Sequence, residues 1–488
     1  MIYPIVPLCV LALPALRRLP NVVLFILLCY ALTQQVAALL APEPILASAL
    51  ALVRSLLIGG LVGIGVLVQR AALLKPLGAG LLIVYLSAAL YGAANGFNFL
   101  TGRLSHPYMT AIALGLSGVF GIWLALFASG RWWWRLPLGV AGLVILLLSG
   151  SRGPLLATFI GCLVGFGIRR GIQAAMGALF GSLLLLSGVY VGDRLGISAV
   201  TRLVSSDTTG RDVVWYDTLS VIHSYRLAGV GSYRLGKYLT SPSNPCSLFL
   251  GPDGVPLHCP AWLAHLDNPW LIAHNLTLQQ WAETGPLGLA GFFILLGLIG
   301  YATLQGQNPL AGAIISGMLV STITDNTILV PNPFFAEVFW IVAGMQLLNL
   351  KRLQWSVGAF TVGLALVLSL PLFLGLRSST VPIGPSKYAL NLFVAPTEVQ
   401  STQAYTTYAQ FQIPAGSYRA DLESCARFCT SLLSTAFTVS GNRSPLLTLT
   451  SDLLPMKTQN LQLRLLPGSS SFSVVALASR NWTVKVKP

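Results

Sequence analysis

The chain has 488 residues, of which 55% are hydrophobic and only 9% charged, with mean hydropathy +0.74 and a formal net charge of +15. No water-soluble domain of this size exposes so little charge, which excludes an ordinary soluble enzyme. Nucleic-acid binding is a misreading of the basic balance, because the Lys and Arg residues fall at regular places between apolar stretches.

A membrane-spanning helix needs ~20 largely apolar residues. Twelve candidates follow one another at 2–16, 21–41, 44–68, 76–96, 108–129, 136–150, 153–168, 171–192, 271–303, 309–329, 334–350 and 355–377. The apolar start lacks a basic region and a small-residue cleavage site, so it reads as a retained helix and not a cleaved signal. Arg17/Arg18, Arg70/Lys75, Arg131/Arg135, Arg169/Arg170 and Lys351/Arg352 occupy alternate connections. Basic residues in short loops stay cytoplasmic, so these pairs predict one topology. It places the short loop 97–107, the long polar loop 193–270 and everything after Arg377 outside the cytoplasm.

Cys9, Cys29 and Cys162 fall in apolar segments and read as small packed residues. Cys246 and Cys259 share the long loop, and Cys425 and Cys429 share the C-terminal segment, which suggests two short-range disulfides in an oxidising compartment. A metal site built from Cys246, His258, Cys259 and His265 is the alternative, although its spacing matches no zinc template. From Ser378 polar and apolar residues alternate in short runs, as in Tyr405-Thr406-Thr407-Tyr408-Ala409-Gln410-Phe411, separated by turn residues at Pro414-Ala415-Gly416, Ser440-Gly441-Asn442 and Pro467-Gly468-Ser469. Seven or so strands are expected there, as a small β-sandwich able to bury its own core. The predicted organisation is therefore an all-α polytopic domain, 1–377, followed by an extracytoplasmic β-rich domain, 378–488. The β-rich domain reads equally as a glycan- or partner-binding module and as a brace for the membrane domain.

Ionisable residues inside a membrane are costly, so each is a functional candidate: Arg54, Arg152, His274, Glu283, Asp325 and Glu337, with Arg211 in the adjoining loop. Arg152 lies in Ser149-Gly150-Ser151-Arg152-Gly153-Pro154, where small residues permit close backbone approach to an anion; an arginine that only snorkels to headgroups is the competing reading. Arg211 opens an amphipathic stretch, and Arg234 follows the glycine-containing turn Gly229-Val230-Gly231. Arg152, Arg211 and Arg234 together would clamp a phosphate bidentately, against the alternative of a solvated basic loop. His274 stands where the long loop re-enters the membrane, and an imidazole of ordinary pKa, about 6.5, accepts a proton at neutral pH. Asn275 beside it carries an amide, Gln279 follows one turn later, and Glu283 precedes the Gly285-Pro286 break. Asp325 is placed to orient either His274 or an arginine. A secondary transporter or lipid flippase, with Arg54, Asp325 and Glu337 along a path, is the reading from another class; no inverted repeat is visible to support it.

As a set, Ser151-Arg152-Gly153, Gly210-Arg211 with Trp215, Gly229-Val230-Gly231, and His274-Asn275 followed by Leu278-Gln279 and Glu283-Thr284-Gly285-Pro286-Leu287-Gly288 resemble the O-antigen ligase and polymerase superfamily of bacterial polytopic glycosyltransferases. The resemblance covers roughly Gly150 to Leu350, the earlier helices matching only in hydropathy. It implies a metal-independent, cofactor-free, inverting transferase of the GT-C type in the bacterial inner membrane. The donor would be an undecaprenyl-diphosphate-linked glycan, and the acceptor a glycan, a lipid A core or a protein hydroxyl. By position, His274 and Arg211 would be catalytic, with Arg152 a second diphosphate ligand. Asn275 and Gln279 would support the acceptor-activating histidine, and Ser151 and Arg234 would line the donor site. The C-terminal β-rich segment departs from the family plan, which ends soon after the last helix. That leaves the acceptor open.

Overall fold

The computed structural model describes residues 5–68, 70–98, 103–106, 108–171, 211–239, 272–331, 335–350 and 356–375, a few isolated positions between 173 and 190, and eight strands between 389 and 487. The chain divides into two compact units. One comprises Met1–Asp207, Val221–Tyr238 and Pro269–Pro371; the other comprises Thr208–Ser220, Leu239–Asn268 and Leu372–Pro488.

The first unit is helical. Its described elements are α1 (Val6–Ala12), α2 (Asn21–Leu39), α3 (Pro44–Leu67), α4 (Arg70–Ala94), α5 (Ala111–Phe127), α6 (Trp132–Ser149) and α7 (Arg152–Arg170). Then come α8 (Arg211–Ser224), whose N-terminal part falls in the other unit, α9 (Leu235–Leu239), α10 (Leu276–Gln305), α11 (Pro309–Ser321), α12 (Ala336–Leu348) and α13 (Ser356–Gly375). Among the described residues six helices are long and apolar enough to cross a membrane: Asn21–Leu39, Pro44–Leu67, Leu74–Ala94, Trp132–Ser149, Arg152–Arg170 and Leu276–Gln305. Ala111–Phe127, Pro309–Ser321, Ala336–Leu348 and Val357–Ser369 are apolar but shorter. The expected span at 2–16 is instead the short helix α1 followed by a 3-10 turn, Leu13–Arg18. Pro14 is the cause, since it has no N–H to continue the α-helical ladder. The expected span at 171–192 lies almost wholly outside the described residues.

Phe25, Leu28, Leu32 and Val36 are exposed along one stripe of α2, and Leu82, Ile83, Leu86 and Leu90 along α4. Apolar stripes at helical spacing that face outward suit hydrocarbon as the solvent. Between helices, small residues set the spacing. A Cβ on Gly118 would lie 2.4 Å from the Gly142 carbonyl oxygen, and one on Gly344 would lie 2.2 Å from that of Val62. The α5–α6 and α3–α12 crossings are therefore backbone-to-backbone contacts that no side chain could share.

The second unit contains β1 (Ala389–Val394), β2 (Glu398–Gln400), β3 (Ala404–Gln412), β4 (Gly416–Cys425), β5 (Cys429–Val439), β6 (Leu446–Leu453), β7 (Gln459–Pro467) and β8 (Ala478–Lys487). The strands form a three-stranded sheet ordered β1-β3-β6 and a five-stranded sheet ordered β2-β8-β7-β4-β5. All pairs are antiparallel except β2 with β8. Alternate residues of β3 point inward, so Tyr405, Ala409 and Phe411 are buried. Ala409, Phe411 and Leu449 of one sheet share a core with Tyr418, Ala420, Leu463 and Leu465 of the other. Trp482 donates from its indole nitrogen to Tyr405 Oη at 2.6 Å and ties the sheets together. Cys425 stands opposite Cys429 in the β4–β5 register; their side chains, and all of Cys246 and Cys259, lie outside the described residues.

Candidate functional site

The segment before α10 is held against the turn after α11. Asn275 caps α10: its side-chain oxygen accepts from the Leu278 N–H at 3.0 Å, and its amide nitrogen donates to the Ile323 carbonyl at 2.9 Å. The Leu276 N–H donates to the Thr322 carbonyl at 3.0 Å. These bonds bring His274 to Asp325, with Nδ1 2.8 Å from Oδ1. The Asp325 side chain is 1% exposed and that of His274 is 36% exposed. An ionised carboxylate only accepts, so it fixes the proton on Nδ1 and leaves Nε2 as the acceptor. His274 also has φ +48°, a left-handed conformation rare for a side-chain-bearing residue and concentrated at functional sites.

Helix α6 ends at Gly150 in the left-handed region, and Ser151 turns the chain into α7, which Arg152 begins. The Ser151 hydroxyl donates to the Ala111 carbonyl at 2.9 Å and accepts from Arg103 Nη2 at 2.9 Å. Arg103 Nε donates to the Ser149 carbonyl as well. A Cβ on Gly153 would lie 2.4 Å from Thr324 Oγ1, so glycine is what lets this turn sit directly against the loop that carries Asp325. Arg152, half-buried, is the residue before this contact. Arg103 has no place among the expected residues. Its only sequence signal is a basic residue within the short loop 97–107.

The turn after α8 packs on the broken part of α10. Gly285 has φ +63°, and the Val230 and Gly231 N–H groups donate to the Ala282 and Glu283 carbonyls at 2.9 and 2.8 Å. A Cβ on Gly229 would lie 2.5 Å from the Ala282 oxygen. Beneath this contact Arg54 and Glu283 form a buried ion pair, with Nη2 2.6 Å from Oε2, and the Arg54 guanidinium lies 4.0 Å from the Tyr233 ring centroid. Burial pushes the Tyr233 hydroxyl above its ordinary pKa, and it donates to the Val330 carbonyl. Arg234 Nη2 contacts both Glu43 carboxylate oxygens at 2.9 Å, and Lys237 reaches the same carboxylate. The hydrogen bond from Lys237, with Arg234 alongside, holds the Glu43 carboxyl below the usual range.

Of the expected site residues, the structure joins His274 to Asp325, Asn275 to Ile323 and Gln279 to Asn326, all in the turn after α11, and the Ser151-Arg152-Gly153 turn meets that same turn through Gly153 and Thr324. Asn275, Gln279 and Ser151 are buried at 1%, 4% and 4% exposure and spend their polar groups on neighbouring protein atoms. Arg234 is engaged with Glu43. Arg211 begins α8, and its side chain lies outside the described residues, as do Cys246, His258, Cys259 and His265. Of the groups in the transport reading, Arg54 is paired with Glu283, and Asp325 with His274.

No curated protein matches the chain. Residues 137–293, from α6 to the middle of α10 and including Arg152 and His274, match the family model described as O-antigen ligase. The matched segment contains the Ser151-Arg152-Gly153 and His274-Asn275 motifs that carry the resemblance to the O-antigen ligase and polymerase superfamily.

Proposed function

We propose that the chain is a multi-pass inner-membrane glycosyltransferase that moves a glycan from an undecaprenyl-diphosphate carrier to an acceptor hydroxyl on the outer face of the membrane, with the loop 193–270 and residues 378–488 outside the cytoplasm. The observation that carries this reading is the His274–Asp325 pair, 2.8 Å apart and set against the Ser151-Arg152-Gly153 turn, with His274 and Arg152 inside the O-antigen ligase match.

The chemistry follows from the groups. Nε2 of His274 accepts the proton of the acceptor hydroxyl as that oxygen attacks the anomeric carbon, and Asp325 stabilises the imidazolium that forms. The bond from that carbon to the diphosphate breaks, and its electron pair leaves with the lipid diphosphate. Arg152 and Arg211 offset the charge that develops there, which needs no metal. A single displacement inverts the anomeric centre. Ser151, Asn275 and Gln279 hold the turns that carry these groups, and Arg234 is a further anion ligand if the diphosphate displaces Glu43.

Mass analysis of products from purified protein supplied with an undecaprenyl-diphosphate oligosaccharide tests this. Longer lipid-linked glycan from donor alone identifies a polymerase, and transfer only to an added lipid A core or protein identifies a ligase. Unconsumed donor with every acceptor class contradicts the proposal.

A further inference from the structure

A fully buried ion pair is poor evidence for stability, because desolvation offsets much of its attraction. Arg54 and Glu283 are such a pair, at 1% and 0% side-chain exposure. What they touch next is informative. Glu283 Oε1 accepts from Gln279 Nε2 at 2.5 Å. At the other end of the same amide, Gln279 Oε1 accepts from the Ala273 backbone N–H at 2.7 Å and from Asn326 Nδ2 at 2.9 Å. Ala273 precedes His274, and Asn326 follows Asp325.

A side-chain amide usually fits either way round, but this one does not. Its nitrogen faces a carboxylate, which only accepts, and its oxygen faces a backbone N–H, which only donates. Arg54 ion-pairs with Glu283, the Glu283 carboxylate orients the Gln279 amide, and the Gln279 oxygen joins the two segments that carry the histidine and the aspartate. We propose that the buried Arg54–Glu283 pair is a positioning device for His274 and Asp325, acting through the orientation of the Gln279 amide. It rests on the reading of His274 as the base. None of Arg54, Glu283 and Gln279 touches substrate in this account.

The relay has a symmetry that makes it testable. Glu283→Gln leaves an amide between an Arg donor and a Gln279 donor, so one contact fails. Gln279→Glu sets two carboxylates against each other. The double variant Gln279→Glu/Glu283→Gln restores every partner: the carboxylate at 279 accepts from Ala273, Asn326 and the new amide, and the oxygen of that amide accepts from Arg54. In detergent-solubilised full-length protein, each single variant is expected to lower kcat about 10- to 100-fold with donor KM unchanged, and the double variant to recover most of it. Nitrogen-15 NMR of the imidazole of His274, assigned with His274→Gln, is expected to show a titration altered in each single variant and restored in the double one.

A folded double variant that is as impaired as the singles overturns the proposal, as do single variants with unchanged kcat and unchanged titration. If a single variant does not fold, Asn326→Ala replaces it, removing the bond to Gln279 beside Asp325; unchanged kcat and titration in that protein overturn the proposal too. The titration needs no turnover. A wild type that transfers no glycan but shows the loss and restoration of the His274 titration defeats the transferase reading and leaves the relay standing; an active wild type indifferent to these substitutions does the reverse.

Discussion

At the scale of single residues, the proposed chemistry depends on which nitrogen of His274 carries the proton. Asp325 is buried and 2.8 Å from Nδ1, so its charge and its inability to donate select one tautomer. Asp325→Asn keeps the shape but offers either a donor or an acceptor to the ring. We expect kcat to fall by about 10²- to 10⁴-fold while donor KM stays within a few-fold, read from steady-state transfer rates; equal loss in KM would assign Asp325 to binding instead. His274, Asn275 and Arg152 were legible from type and place: polar groups at the ends of apolar segments have few reasons to be there. The roles of Asn275, Gln279 and Ser151 were less so. A sequence marks an amide or hydroxyl as polar, but not whether a backbone group folded in from elsewhere consumes it, and the partners here are Ile323, Ala273 and Ala111. Arg103 was overlooked because its partner, Ser151, is far away in sequence.

At the scale of elements, the break in α10 and the turn that fills it form one device. Gly285 allows the chain a φ of +63°, Pro286 follows, and a Cβ at 285 would lie 2.3 Å from the Leu227 oxygen. Gln34 donates to the Gly288 carbonyl at 2.8 Å, satisfying an oxygen within the helix turn beside the break. Gly285→Ala therefore strains the backbone and pushes the 227–231 turn away, and is expected to cost about 1–3 kcal/mol, read as a lower thermal midpoint in detergent; an unchanged midpoint would mean the turn shifts freely. The clasp of Arg234 and Lys237 on Glu43 adds a pH dependence. The folded-state pKa of Glu43 is depressed, so its contribution is complete above the unfolded value and is lost as pH falls through the folded one. The difference in thermal midpoint between wild type and Glu43→Gln is expected to be present at neutral pH and to vanish on acidification below the ordinary carboxylate range. A difference that persisted there would exclude charge as its cause. The Gly-Pro break was visible in the sequence, whereas Glu43 as the partner of Arg234 was not, because the two are brought together only by the fold.

At the scale of the whole molecule, hydropathy and alternation carried the most information. The long apolar helices α2, α3, α6 and α10 follow the expected spans closely, since a run of apolar residues leaves the backbone no solution in lipid but a helix. The first span failed where Pro14 interrupts it, a local rule that composition averages away. The eight-strand region after residue 388 was legible from period-two alternation, although its pairing order, with β2 parallel to β8, follows from contacts far apart in sequence. His274 is the proposed base of the glycan transfer. The most direct test is the transfer rate of His274→Ala against wild type, both folded in detergent, with undecaprenyl-diphosphate oligosaccharide and the acceptor that supports turnover, measured across the pH range in which an imidazole titrates. The account predicts a rate at least about 10²-fold lower in the variant and loss of the wild-type dependence on a group titrating in that range. Equal rates with the same pH profile would contradict it.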